Sequence, residues 1–190
     1  MVSSSNGKFF CLRAKLSAMI SRVRERLVMT LQSLPRRARL RALGANVQCE
    51  RIELSTESGN KVVGYLYQSE GSGLRPGVLL VPGTNDSAVV FDGWSQPINA
   101  REIAASGWVV MSFDPPGRGE SWGEEEYGGL EQQQALLAAL GVLAQHRSVD
   151  SANLGILSVS LGIGMACGAV ASASEHPVSW LVDWEGPSDR

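Results

Sequence analysis

In the stretch Asn153 to Ala171, NLGILSVSLGIGMACGAVA, a short apolar run breaks at a serine and resumes as a series of small residues. The run Leu154 to Leu157 is flanked by polar residues, as a buried parallel strand is, and the segment after Ser160 is long enough for a helix. A serine on such a junction projects above the sheet at the positive end of the next helix. There the backbone N–H of Leu161 can face a developing oxyanion. Strand and helix nearly touch at a turn of this kind, so small neighbours are required. Ser158, Gly162 and Gly164 supply them in an S-x-S-x-G pattern, with Ser158 where the commoner form has glycine. The chemistry that suits this arrangement is attack by the Ser160 hydroxyl on a carbonyl carbon. A helix N-cap is the competing role for a serine at this position, and the two roles are geometrically compatible.

A serine hydroxyl is a poor nucleophile at neutral pH unless a positioned imidazole takes its proton. The chain has two histidines, His146 at the end of the helix before the Ser160 strand and His176 at the end of the helix after it. Helices that cross between parallel strands run back along the sheet, so both histidines belong at the pole opposite Ser160. A strand of about six residues at ~3.3 Å each separates the poles by roughly 20 Å. Asp183 lies past the last apolar run, at the same edge as Ser160, and is the candidate acid, set against a loop or capping role. No group of residues has metal-ligand spacing and no G-x-x-x-x-G-K phosphate loop is present, so neither a metal nor a cofactor is expected.

The elements that must position Ser160 can be read in order. VQCERIELST and KVVGYLYQ, joined by ESGN, form a β-hairpin with alternating faces. GVLLVPG is a buried strand ending in a glycine turn, INAREIAAS a helix, WVVMSFD a buried strand, and LEQQQALLAALGVLAQHRS a helix. The strand, turn and helix around Ser160 follow, and HPVSWLVDWEGPSDR is a final strand with a short tail. Strands alternating with helices imply crossover connections and a mostly parallel sheet, here preceded by an antiparallel hairpin. Sites in such sheets lie beyond the carboxyl ends of the strands. The loops after Val81, Phe113, Leu157 and Val182 therefore converge on one surface.

Charge divides the chain. Residues 1–45 hold ten Lys or Arg and one acid, whereas 46–190 are strongly acidic within an overall net charge of −2. Within the first segment, Phe9, Leu12, Leu16, Met19, Val23, Leu27, Leu31 and Leu34 recur at threes and fours among basic residues, which predicts a basic amphipathic helix stopped by Pro35. Three uses of residues 9–34 compete: packing on the following domain, an organelle-targeting presequence, and contact with a membrane surface or a partner. The acidic domain argues against nucleic acid as a ligand. No apolar run approaches the ~20 residues of a membrane-spanning helix. Cys11, Cys49 and Cys167 are far apart and odd in number, so free thiols in a reducing, cytoplasmic setting are expected.

The order of elements together with SVSLG, VPGT and DPPGRGES resembles the α/β-hydrolase superfamily, most closely its dienelactone hydrolase, acetyl esterase and prolyl oligopeptidase group, over roughly Val47 to the end. The resemblance implies that Ser160 is the nucleophile and that the Leu161 N–H is one oxyanion donor. It places Pro82-Gly83-Thr84 at the oxyanion loop, with proline where a histidine often precedes the glycine and with the Thr84 N–H as second donor. It gives the loop from Asp114 to Ser121 a structural role only. In that superfamily the main acid and the histidine follow two further strands, so the expectation is the front part of a longer protein, with WLVDW as an uncovered sheet edge. The implied function is a serine hydrolase acting on a small-molecule ester or a peptide-like acyl bond. A non-catalytic scaffold that uses residues 9–34 for membrane or partner binding is the alternative.

Overall fold

The structure is a computed structural model that describes residues 46–93, 97–172 and 178–187, together with Ala38 and Ala42. The amphipathic helix expected over 9–34, His176, Cys11 and Trp94 lie outside the described residues. The described domain falls within a compact unit running from Arg41 onward.

Six strands form one mixed sheet: β1 (Gln48–Ser55), β2 (Lys61–Gln68), β3 (Arg75–Val81), β4 (Val109–Asp114), β5 (Val149–Val159) and β6 (Trp180–Trp184). Their spatial order is β1-β2-β4-β3-β5-β6. The hairpin strands β1 and β2 are antiparallel, β2 meets β4 antiparallel, and the pairs β3–β4, β3–β5 and β5–β6 are parallel. Three helices connect the parallel strands: α1 (Ala100–Ala105), α2 (Leu130–Gln145) and α3 (Gly162–Ser172). The loop between β3 and α1 contains a 3-10 turn, Ala88–Phe91.

The near-continuous apolar run of β3 is explained by burial on both faces. Successive side chains of a strand point to opposite faces. Leu79 and Val81 accordingly join Met111, Phe113, Leu136, Leu140, Leu154, Ile156 and Met165 in the core under α2 and α3. Val78 and Leu80 join Tyr67, Phe91, Ala100, Ala104 and Val110 in the core under α1. Along α2, Gln132, Ala135, Leu136, Ala139, Leu140 and Leu143 are buried at spacings of three and four, which puts one face of the helix on the sheet.

Two differences from the sequence reading concern β5 and β6. Ser160 stands at the end of a strand longer than the apolar run suggested, because the polar residues Asp150–Asn153 extend it at its start. There Arg75 pairs with Val149 while Gly77 pairs with Leu154, so β5 bulges against β3. At the other side, β6 is an edge strand among the described residues, with Val182 and Trp184 exposed. Leu181 and Trp180 instead pack against the two cores. The Trp180 ring lies on the backbone of Gly155, where a Cβ would come within 1.9 Å of it, and meets Trp108 edge-on at 5.8 Å.

Gly155→Ala should therefore displace Trp180 from Trp108, lowering stability by about 1–3 kcal/mol, the usual cost of overpacking. Thermal unfolding and a red-shifted tryptophan emission would register it. Gly71→Ala, at a position with nothing within 4 Å, serves as the neutral control.

Candidate active site

The chain leaves β3 for β4 on one side, then returns past β3 to β5 on the other. The strand order thus reverses between β3 and β5, which makes the carboxyl ends of these two strands the switch point where sheets of this class place a crevice. Both segments singled out in the sequence sit there: Pro82-Gly83-Thr84 follows β3, and Ser160 follows β5.

Ser160 has φ 51°, in the left-handed region that non-glycine residues occupy at a cost of roughly 1–2 kcal/mol. An N-cap has extended backbone, and α3 begins only at Gly162, so Ser160 adopts the sharp turn and not the capping geometry. Its N–H donates to the Trp184 carbonyl at 2.8 Å, which ties the turn to the end of β6. The two glycines of the pattern have different reasons. At Gly162 a Cβ would lie 2.6 Å from the Pro82 carbonyl oxygen, so the start of α3 and the loop after β3 touch backbone to backbone. At Gly164 nothing lies within 4 Å. Gly83 faces Ser160 directly, since a Cβ there would lie 3.2 Å from the serine Cβ and 3.2 Å from the Val159 carbonyl oxygen. Leu161 immediately precedes the first turn of α3, where backbone N–H groups have no intrahelical partner.

Ser158 is fully buried and donates from Oγ to Asp183 Oδ1 at 3.0 Å; Asp183 Oδ2 accepts from the Gly186 N–H at 3.0 Å. The Asp183 carboxylate therefore joins the ends of β5 and β6 and holds the turn that follows, in which Glu185 has φ 59°. His146 sits at the other end of β5, between α2 and Val149, with its Nδ1 accepting from the Ser148 N–H. The structure thus brings Ser160, Leu161, Gly83 and Thr84 to one crevice and leaves His146 at the opposite pole. Burial pushes the His146 pKa down, aided by Arg147 and Arg75.

The loop from Asp114 to Ser121, read as structural, buries two charged side chains whose partners the sequence did not indicate. Asp114, at the end of β4, is buried and accepts from the Ala88 N–H at 2.8 Å and the Glu120 N–H at 2.9 Å. A Cβ at Gly119 would strike this carboxylate, which explains the glycine. Arg118 is 8% exposed, and its Nη1 donates to the Gly83 carbonyl at 2.5 Å and to the Asp86 carbonyl at 3.3 Å. The remaining edge of its guanidinium, Nε and Nη2, pairs with both oxygens of Glu125. Glu125 in turn accepts from the Tyr127 N–H and from Gln132 of α2. The signal available was an arginine between two loop glycines with an acid seven residues on, a pattern that solvated loops also show.

No protein-family model and no curated protein matches the chain. Among solved structures, an esterase of Pyrococcus furiosus superposes with a TM-score of 0.60 at 21% identity, covering 77% of this chain and 52% of its own. The chain has the α/β-hydrolase fold. An α/β hydrolase of a Penicillium species (TM-score 0.59, 21% identity, 72% of this chain and 45% of that one) shows the same α/β-hydrolase architecture. So does a dienelactone hydrolase-like promiscuous phosphotriesterase from metagenomic libraries (TM-score 0.60, 18% identity, 74% and 60%). The chain spans about half the length of these α/β-hydrolase structures. Among the described residues no helix is long and apolar enough to cross a membrane, and no group of three or more His, Cys, Asp or Glu could hold a metal ion.

Gly162→Ala should cost about 1–3 kcal/mol, because backbone cannot swing aside as a side chain does. Gly164→Ala should instead stabilise α3 by up to about 1 kcal/mol through helix propensity. Urea unfolding of the two variants checks the contrast. The Arg118 guanidinium holds the Glu125 carboxyl down to about 2, against an opposing push from burial. A depressed carboxyl stabilises the fold above its unfolded-state pKa and loses that contribution as pH falls through the folded value. The urea midpoint should therefore decline between about pH 4.5 and 2, and Glu125→Gln should flatten that part of the profile.

Proposed function

We propose that this domain carries the nucleophile and oxyanion half of a serine hydrolase site that cleaves an ester or peptide-like acyl bond. The observation that carries the reading is the left-handed backbone of Ser160 at the strand-to-helix turn, 3.2 Å (Cβ to the position a Cβ would take) from Gly83 of the facing loop. Ser160 Oγ attacks the carbonyl carbon of the substrate, and the N–H groups of Leu161 and Thr84 receive the oxyanion of the tetrahedral intermediate. The leaving group departs as the carbonyl re-forms, and water then releases the acyl group from Ser160. The reading requires an imidazole to accept the Ser160 proton, and His146, at the opposite pole of the sheet, does not supply it. Asp183 is the candidate acid, though both of its oxygens already hold the β5–β6 ends. The names of the superposed structures, an esterase, an α/β hydrolase and a promiscuous phosphotriesterase, agree with a hydrolase reading and not on one substrate class. Exposed Cys49 and Cys167 fit a reducing compartment such as the cytoplasm.

The second reading, a non-catalytic scaffold that uses residues 9–34 for membrane or partner contact, is favoured by the position of His146. An active-site fluorophosphonate separates the two. The product of a gene extended past codon 190 should be labelled, Ser160→Ala should not, and the 190-residue chain should react more slowly by roughly 10²- to 10⁴-fold, the usual worth of a general base. No labelling of the extended protein, or equal labelling of Ser160→Ala, refutes the hydrolase assignment.

A further inference from the structure

The Arg118–Gly83 contact has the form of a switch on one peptide plane. In a trans peptide the C=O and the following N–H point in opposite directions. The orientation of the Gly83 carbonyl therefore decides where the Thr84 N–H points. With the carbonyl flipped, an oxygen lone pair would occupy the side of the peptide that otherwise presents the amide, and it would repel a developing oxyanion. Gly83 lacks the Cβ that would restrict such a flip, so something else must select one orientation.

Arg118 is placed to do so. A guanidinium has five donors fixed in a planar fork. Glu125 engages Nε and Nη2 together, and this leaves Nη1 aimed at the Gly83 and Asp86 carbonyls. Because Arg118 is buried, turning the Gly83 carbonyl away would strip a charged donor of a partner that water does not replace. The fork is itself held from behind: Gln132 donates to Glu125 Oε1 and to the Pro116 carbonyl, and accepts from the Gly128 N–H. Asp114 fixes the other end of the same loop through the Ala88 N–H.

We infer that Arg118 is a positioning residue for the oxyanion site, holding the Gly83–Thr84 peptide with its N–H toward the crevice beside Ser160. This rests on the serine hydrolase reading. A lysine does not replace it, since an ammonium cannot pair with Glu125 through two parallel bonds and present a third donor at a fixed angle.

The test uses the protein expressed from the extended gene, with the fluorophosphonate and p-nitrophenyl acetate as probes. Arg118→Met leaves Glu125 without its cation, so Arg118→Met/Glu125→Gln is made alongside it to remove the orphaned charge. In both, the labelling rate per folded molecule should fall about 10- to 100-fold, and kcat should fall by a similar factor while KM changes less than about threefold, as for loss of an interaction made mainly in the transition state. Arg118→Lys should behave like Arg118→Met, and millimolar methylguanidinium should restore part of the rate to Arg118→Ala. If the double variant is labelled at close to the wild-type rate while Ser160→Ala stays silent, Arg118 does not position the loop and the inference fails with the hydrolase reading intact. If labelling falls only in proportion to the unfolded fraction, Arg118 is a structural brace and the inference fails likewise. If the wild type is unlabelled, or Ser160→Ala is labelled equally, the underlying reading fails first.

Discussion

The approach of two backbones, where the start of α3 meets the loop after β3, constrains everything else at the carboxyl end of the sheet. Gly162 lies against the Pro82 carbonyl and Gly83 lies against Ser160, each at a distance that no Cβ tolerates comfortably. The parallel pairing of β3 with β5 brings the two segments level, with Val81 opposite Ser158. The chain must then turn within Ser160 and Leu161 to enter the helix, and the positive φ of Ser160 is the cost of that turn. A strained residue persists only where its surroundings leave it no alternative. Here the surroundings are the Trp184 carbonyl on one side and the β3 loop on the other.

Charge stabilises this crowded region from below. Two buried side chains of opposite sign join the loops after β3 and β4: Asp114 takes backbone N–H groups, and Arg118 takes backbone carbonyls. Each is compensated, Asp114 by several amide donors and Arg118 by Glu125, which is what allows them to lie away from water. Such pairs add little net stability compared with apolar packing, but removing one partner is costly, and this enforces a single arrangement of the loops.

Much of this was legible in the sequence because periodicity reports burial. The unbroken apolar run of β3 and the alternation of strands with helix-length segments led directly to a mostly parallel sheet with covering helices. The small residues around Ser160 were legible for the same reason, as close contact leaves a compositional mark. Polar contacts leave a fainter one. Arg118 read only as part of a structural loop, with no partner assigned, because nothing in GRGESWGEEEYGG distinguishes a charge that folds inward from one that faces water. The extension of β5 through Asp150–Asn153 was hidden similarly: those residues form the bulge between the Arg75–Val149 and Gly77–Leu154 pairs and stay largely exposed, so no apolar pattern marks them. The seating of Trp180 on Gly155 depends on a parallel register that no local signal encodes.

The bond from the Ser160 N–H to the Trp184 carbonyl, with the Ser158–Asp183 contact beside it, means that the turn is finished by the last strand described. A sheet assembled only as far as β5 would leave the serine amide and hydroxyl neighbours without these partners. Ribosomal synthesis delivers β6 after α3, so the turn at Ser160 and the docking of the edge strand belong to one late folding event. A nascent chain paused before that strand would hold Ser160 without the carbonyl that ties its turn.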